Sequence, residues 1–397
     1  VPAAEEMTAA ETVTISSNHS SYVRGVGNTR FGRLPGSTPL TLMAQAADAA
    51  LDAAGLARGE VDGVLCGYAT TLPHLMLADR FCEFASLQPA YAHGMAGGGA
   101  TGGLMAMLAH DLVRAGRCRN VLVVAGENRL SGQSRDQSVQ TLAQVGEPGI
   151  EVPNGASVPA YYALLASRYL HEVGLDADAL SDFAVLMRRH AAGHPDAHLR
   201  NPLTLDTARQ ARPIASPLRL SDCCPISDGA VALVVSAEPG DDTPVRIAGA
   251  GQAHRHQHLG ALDDVMRSGA SDAAGRAFAE AGCALADIDY LAIYDSFTIT
   301  LVMLLEEIGI APRGQAVARL RAGEFETDGA LPLNTHGGLL AFGHSGVAGG
   351  LMHLAEAARQ LAGRAGARQL SSRRHRALFH ADGGVLSSHV SLILETA

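Results

Sequence analysis

Short apolar runs alternate along the chain with alanine-rich stretches whose apolar positions recur at helical spacing, the pattern of an α/β protein with buried strands. Residues 22–27 predict a strand, and 41–54 (TLMAQAADAALDAA) predict a helix stopped by Gly55, because glycine enters the left-handed conformation that ends a helix at little steric cost. Residues 61–67 predict the next strand, 102–115 a helix closed by Gly116, and 121–126 (VLVVAG) another strand. From 127 to about 220 the character changes to longer helices and polar loops carrying Arg188, Arg189, Arg200, Arg209, Arg212 and Arg219, as in an insertion laid over the first domain. The apolar core resumes at 229–236 (GAVALVVS), and 238–242 (EPGDD) reads as a linker.

A repeat organises these elements. AADAALDAAGLARGEVDGVLCG from Ala46 has an echo in AAGRAFAEAGCALADIDYLAIYD from Ala273, with Gly55 matching Gly282 and Asp62 matching Asp289, each offset by 227. Helix, glycine stop, acidic turn and buried strand occur in the same order twice, so two related α/β halves are expected. The implied division is a flexible tail over 1–20, a first half over 21–240 containing the insertion 127–220, and a second half over 243–397.

Composition narrows the chemistry. The 397 residues are 47% apolar, enough for large buried cores, and hold no lysine, so all 30 basic residues are arginine. Schiff-base aldolase chemistry and a Walker A phosphate loop both need that missing amine. There is no tryptophan, aromatic residues are 4%, and 40 acidic residues give a formal charge of −10, which together argue against nucleic acid as a partner. No apolar run approaches the roughly 20 residues of a membrane helix. The first eleven residues carry Glu5, Glu6 and Glu11 without a basic cluster, unlike a leader peptide. Six cysteines without a CxxC or a disulfide-scaffold spacing fit a reduced, cytoplasmic setting, with the vicinal pair Cys223 and Cys224 expected as two buried thiols.

Three glycine-rich turns carry the candidate chemistry. Gly94-Met-Ala-Gly-Gly-Gly99-Ala-Thr-Gly-Gly103 opens a helix and would aim backbone N–H groups at an anion or oxyanion, whereas no GxGxxG supports a dinucleotide. Asn334-Thr-His-Gly-Gly338 runs into Gly343-His344-Ser-Gly, which places His344 at a helix entrance, either as a general base or as a structural cap of the turn. Phe379-His380-Ala-Asp-Gly-Gly384 is the third, and Tyr294-Asp-Ser-Phe297 ends the strand of the second repeat. His254, His256 and His258 alternate along a possible strand, but a metal needs further ligands that nothing nearby supplies, so a polar loop is expected and no metal.

Taken together these motifs resemble the thiolase superfamily, in the branch of sterol carrier protein-linked thiolases and actinobacterial lipid-transfer aldolases. The resemblance rests on FGRLPG (31–36), VVAGENR (123–129), PLRLSDCCPISDGAVALVVS (217–236), YDSF (294–297), NTHGGLLAFGH (334–344) and HADGGVLSS (380–388), and covers the chain from about Tyr22 onward. It implies two βαβαβαββ halves in a five-layer αβαβα arrangement with an inserted loop domain, and a homodimer. It also implies a different chemistry from thiolysis. The nucleophilic cysteine of a thiolase falls on Gly99, the second family cysteine on His380 or Ala381, and the family histidine is kept as His344, followed by Ser345 where proline is usual. Tyr294 matches a catalytic tyrosine of the lipid-transfer aldolases, which carry a second tyrosine where this chain has His344. A base and an oxyanion scaffold without a nucleophile fit retro-aldol cleavage of a β-hydroxyacyl-CoA, with no covalently bound cofactor and coenzyme A entering as part of the substrate. The expected site is Tyr294 and His344 for proton transfer with His380 assisting, and backbone donors at Gly99, Asp382, Gly383 and Gly384. The alternatives are an acyltransferase using Cys82 or Cys66 in a complex, and a non-catalytic acyl-CoA-binding scaffold. Nucleophile-free relatives also imply a small OB-fold, acyl-CoA-binding partner.

Overall fold

The computed structural model describes residues 20–397 apart from 156, 241 and 242, so almost all of the expected tail and part of the expected linker lie outside the described residues. The strands are β1 (Tyr22–Asn28), β2 (Gly63–Gly67), β3 (Tyr91–Met95), β4 (Asn120–Asn128), β5 (Pro213–Ala215), β6 (Leu218–Arg219), β7 (Asp228–Ser236), β8 (Val245–His254), β9 (Tyr290–Ile293), β10 (Arg376–Gly383) and β11 (Ser388–Thr396). The α-helices are α1 (Pro39–Ala54), α2 (Leu77–Phe84), α3 (Thr101–Arg114), α4 (Arg135–Leu142), α5 (Val158–Val173), α6 (Ser181–Ala192), α7 (Leu205–Arg209), α8 (Ala270–Ala281), α9 (Thr298–Glu307), α10 (Ala316–Arg321) and α11 (Val347–Leu361).

Nine strands form one mixed sheet in the order β3-β2-β4-β7-β1-β8-β11-β10-β9, and its two halves meet where Tyr22 of β1 pairs with Arg246 of β8. Order and direction repeat on either side of that seam, with β2-β4-β7-β1 answered by β9-β10-β11-β8. The centre of β4 and all of β7 are buried on both faces, which is why their sequences read as continuous apolar runs. Helices α3 and α11 pack on each other and on strands of both halves, while α1 and α8 cover the outer faces, so the expected five layers are present.

The repeat holds residue by residue. A Cβ on Gly25 or Gly27 would stand 2.2 Å from the carbonyl of Ala50 or Ala46 in α1, and one on Gly249 or Gly251 would stand 2.3 or 2.2 Å from that of Ala277 or Ala273 in α8. Each outer helix therefore lies against its strand across a strip with no side chains. Gly55 and Gly282 both end their helices in the left-handed region, at φ 63° and 65°. The Asp62 carboxylate accepts from Arg119 and Asn120 N–H at 2.7 and 2.8 Å, and that of Asp289 accepts from His375 and Arg376 N–H at 2.8 and 3.0 Å. These two acids, read from sequence only as turn residues, clamp the start of β4 and β10.

Two differences from the sequence reading matter for the site. The excursion between β4 and β7 docks largely on the second half rather than lying over the first, with α5 against α9 and α6 against α9 and α10; Tyr169 Oη donates to Glu306 at 2.8 Å and Arg321 pairs with Asp182 at 2.7 Å. The second half also lacks a full counterpart of β3, which is reduced to one parallel bridge between Leu291 and Leu333. No helix among the described residues is long and apolar enough to cross a membrane.

Candidate active site

Strand β9 ends at Ile293 because Asn334, at φ 47°, takes over its pairing: Asn334 Oδ1 accepts from Ile293 N–H at 2.9 Å and Nδ2 donates to the Ile293 carbonyl at 2.7 Å. The next residue, Tyr294, donates its N–H to the His380 carbonyl at 2.9 Å, and its side chain turns into a cavity of about 240 Å³ between the halves. Asp295 is fully buried and accepts from Leu339 N–H at 2.7 Å and from His353 Nε2 at 2.9 Å. It thereby holds the single π-helical turn Gly338–Phe342 that leads to His344. The YDSF and NTHGGLLAFGH motifs are two sides of one interlock.

His344 enters from that turn. Its N–H donates to the Pro225 carbonyl at 2.9 Å, and Ser345 Oγ donates to the Gly229 carbonyl at 2.5 Å, so the hydroxyl that replaces the usual proline ties the turn to β7. His344 Nε2 lies 3.1 Å from Tyr294 Oη. Burial, with Arg129 nearby, holds the imidazole down to about 3, and burial beside Asp382 holds the tyrosine well above its usual range. Both groups are neutral near pH 7, so the tyrosine donates and the imidazole accepts.

Gly99 explains the missing nucleophile. A Cβ there would lie 2.2 Å from Tyr294 Oη and 2.5 Å from the Asp382 carbonyl, so the tyrosine hydroxyl stands where a residue-99 side chain would begin. The neighbouring glycines close the loop tightly: a Cβ on Gly98 would meet Gly384 N at 2.7 Å, and one on Gly383 would meet the Gly97 carbonyl at 2.0 Å. The glycine cluster of the first half and the terminal glycine turn of the second are thus in backbone contact.

The structure brings Tyr294, His344, Gly99, Asp382 and Gly384 to one cavity, with Gly383 packed behind it. It does not bring His380 there. That ring is buried with Nδ1 2.7 Å from Ser391 Oγ and Nε2 3.1 Å from His389 Nδ1, and only its backbone carbonyl touches the site, through Tyr294. The glycine turn named His380 as a strand-end histidine, but its ring is taken up by Ser391 and His389 of the neighbouring strand β11. His254 and His256 bond the Ser387 and Val385 carbonyls, steadying the terminal turn, and no metal-binding group occurs among the described residues.

Sequence reading missed Tyr162, Glu127 and Arg129 in the cavity wall. Tyr162 stacks on Phe297 at 4.4 Å and comes from the excursion, whose docking no motif announced. Glu127 and Arg129 follow directly on the apolar run VLVVAG, and charges ending a fully buried strand were the available signal. Glu127 Oε1 accepts from Thr70 N–H and Oγ and from Thr71 N–H, and burial raises its carboxyl above the usual range. Cys223 and Cys224 also line the cavity; they are half-buried free thiols rather than fully buried ones.

Comparison with known proteins agrees with this geometry. Residues 251–396 match the model of the thiolase C-terminal domain-like family. The chain is 33% identical to a steroid side-chain-cleaving aldolase of Thermomonospora curvata over 368 residues, 87% of this chain and 90% of that protein. The chain belongs to the thiolase superfamily. Within it, the sterol carrier protein and aldolase branch is matched: a solved Ltp2–ChsH2(DUF35) aldolase superposes with TM-score 0.82 at 29% identity, covering 95% of this chain and 98% of that one. An acetyl-CoA acetyltransferase of Methanothermobacter thermautotrophicus is 28% identical over 356 residues, 88% of this chain and 92% of that protein. Thiolase architecture is therefore shared by relatives that differ in reaction, and the site has to distinguish them.

Proposed function

We propose that this thiolase-superfamily chain is a carbon–carbon lyase that cleaves a β-hydroxyacyl-CoA by a retro-aldol reaction without an acyl-enzyme. The observation that carries the reading is Tyr294 Oη standing in the side-chain space of residue 99 while bonded to His344. The aldolase relatives support it.

In the forward step the substrate's β-hydroxyl gives its proton to Tyr294 Oη as the tyrosine passes its own to His344 Nε2. The oxygen's electrons form the carbonyl, the Cα–Cβ bond breaks, and its electron pair moves into the thioester as an enolate. An imidazolium whose pKa is held low is a strong acid, so the proton returns through the same pair to Cα. The products are a ketone or aldehyde and a shortened acyl-CoA, with no net change in protons. The thioester is the electron sink, and without lysine the chain has no amine for a Schiff-base sink in its place. Donors near Gly99 and Gly384 hold the enolate oxygen, and losing one such donor typically raises the barrier by about 3 kcal/mol.

Acyl transfer is less well served by the side chains. Burial pushes the thiols of Cys66 and Cys82 up to about 12 and about 11, so roughly one part in 10⁴ or less is thiolate at neutral pH. Neither lines the cavity that holds Tyr294.

A homodimer and a small acyl-CoA-binding partner protein complete the proposal, the latter supported by the two-component composition of the Ltp2–ChsH2(DUF35) relative. Incubating β-hydroxyacyl-CoAs with the protein, alone and with its partner, is expected to yield carbonyl product and shortened acyl-CoA. Finding neither, or finding an acyl adduct on a cysteine by mass spectrometry, overturns the lyase reading.

A further inference from the structure

The cavity contains a carboxyl that the tyrosine–histidine pair does not use. Asp382 is 1% exposed at the end of β10 and lines the cavity beside Tyr162 and Tyr294. Tyr162 Oη donates to Asp382 Oδ2 at 3.3 Å, while Oδ1 is buried and has no hydrogen-bond partner. A buried carboxylate without a partner on one oxygen is costly, and either a proton or a ligand group relieves that cost.

We propose that Asp382 acts as a neutral carboxylic acid whose free oxygen donates a hydrogen bond to the thioester oxygen, stabilising the enolate formed when the Cα–Cβ bond breaks. The role rests on the retro-aldol reading and adds a side-chain donor to the backbone donors of the glycine turns. Burial outweighs the hydrogen bonds from Tyr162 and from the Leu386 and Asp382 N–H groups, which favour the charged form. Tyr162 and Tyr294 are held neutral by burial, and His344 and His389, the latter opposite Asp382 on β11, are neutral imidazoles. Arg129 shares the cavity but gives its Nη2 to Ser138 at 3.2 Å, and Glu127 adds no positive charge. Burial raises the Asp382 carboxyl to about 7, so it is mostly protonated in the weakly acidic range and ionises as pH rises through neutrality. An ionised Asp382 would repel the enolate instead of stabilising it.

The test compares wild type, Asp382→Asn and Asp382→Ala in kcat against pH, together with an infrared titration of the wild-type carboxylic acid band. Wild-type kcat is expected to fall by about tenfold per pH unit above pH about 7. Asp382→Asn, which keeps a donor, is expected to stay within about tenfold of the wild-type maximum and lose that alkaline limb; Asp382→Ala is expected to lose about 10²–10³-fold at every pH. The infrared band should titrate near pH 7 and be missing in Asp382→Asn, a signal independent of turnover. If wild type cleaves and Asp382→Ala is within threefold of it, or the alkaline limb survives in Asp382→Asn, this role is overturned while the lyase reading stands. If wild type cleaves no β-hydroxyacyl-CoA, the lyase reading fails and this role with it.

Discussion

At Gly99 the missing side chain and the presence of Tyr294 are a single packing fact, since a Cβ on residue 99 would stand 2.2 Å from the tyrosine hydroxyl. Gly99→Cys is therefore expected to remove lyase activity without producing an acyl adduct, as checked by product assay and intact-mass spectrometry after acyl-CoA exposure. Tyr294→Phe keeps the ring, its stacking on His353 and the space at Gly99, and removes only the hydroxyl. It is expected to lower kcat by about 10² or more while leaving the melting temperature within a few degrees. At this scale the sequence was legible where a motif names a residue. Tyr294, His344 and Gly99 could be placed by matching motifs, whereas the carboxyl of Asp382, the ring of Tyr162 and the misassigned His380 depend on which neighbours pack against them from β11 and from the docked α5. No residue spacing encodes that.

Among elements, the π-helical turn Gly338–Phe342 has the strongest dependence on one side chain. Asp295 accepts two of its N–H groups as well as His353 Nε2, all in a fully buried setting. Asp295→Ala would orphan those donors and is expected to cost about 3–5 kcal/mol, read as a lower denaturation midpoint. Asp295→Asn, retaining one acceptor, is expected to fold but to reduce kcat by loosening His344, a split between stability and turnover that separates positioning from folding. The alternation of strands and helices was readable because buried strands are unbroken apolar runs and each repeat helix ends at a glycine. The docking of α5 and α6 was not readable, because their contacts to the second half, apolar packing and ring stacking together with side-chain hydrogen bonds and ion pairs, join segments more than a hundred residues apart.

Across the molecule, buried histidines set the response to acid. His190, His194 and His389 are held down to about 4 by burial, and His344 to about 3. A histidine with a depressed folded pKa contributes stability that is present above its unfolded value near 6.5 and lost as pH falls through its folded value. Stability is thus expected to drop steadily between pH about 6.5 and about 4, with unfolding accompanied by uptake of several protons. Melting temperatures measured across that range check it, and a flat profile would show that these rings are not buried neutral. The proposed homodimer has a natural seam at β3, which forms one edge of the sheet beside the exposed Leu75 and Met76. Replacing both with glutamate is expected to shift sedimentation from dimer to monomer.

The Leu291–Leu333 bridge has a further consequence in evolutionary terms. In the first copy the chain after β2 returns as β3, a full parallel partner, and then enters the Gly97–Gly99 loop. In the second copy the matching return touches the sheet at one residue pair, and the chain released from pairing continues through Asn334 and the π-helical turn to His344. The duplicated frames have diverged: in one copy that segment extends the sheet to its edge, and in the other it leads through the π-helical turn to His344 at the cavity.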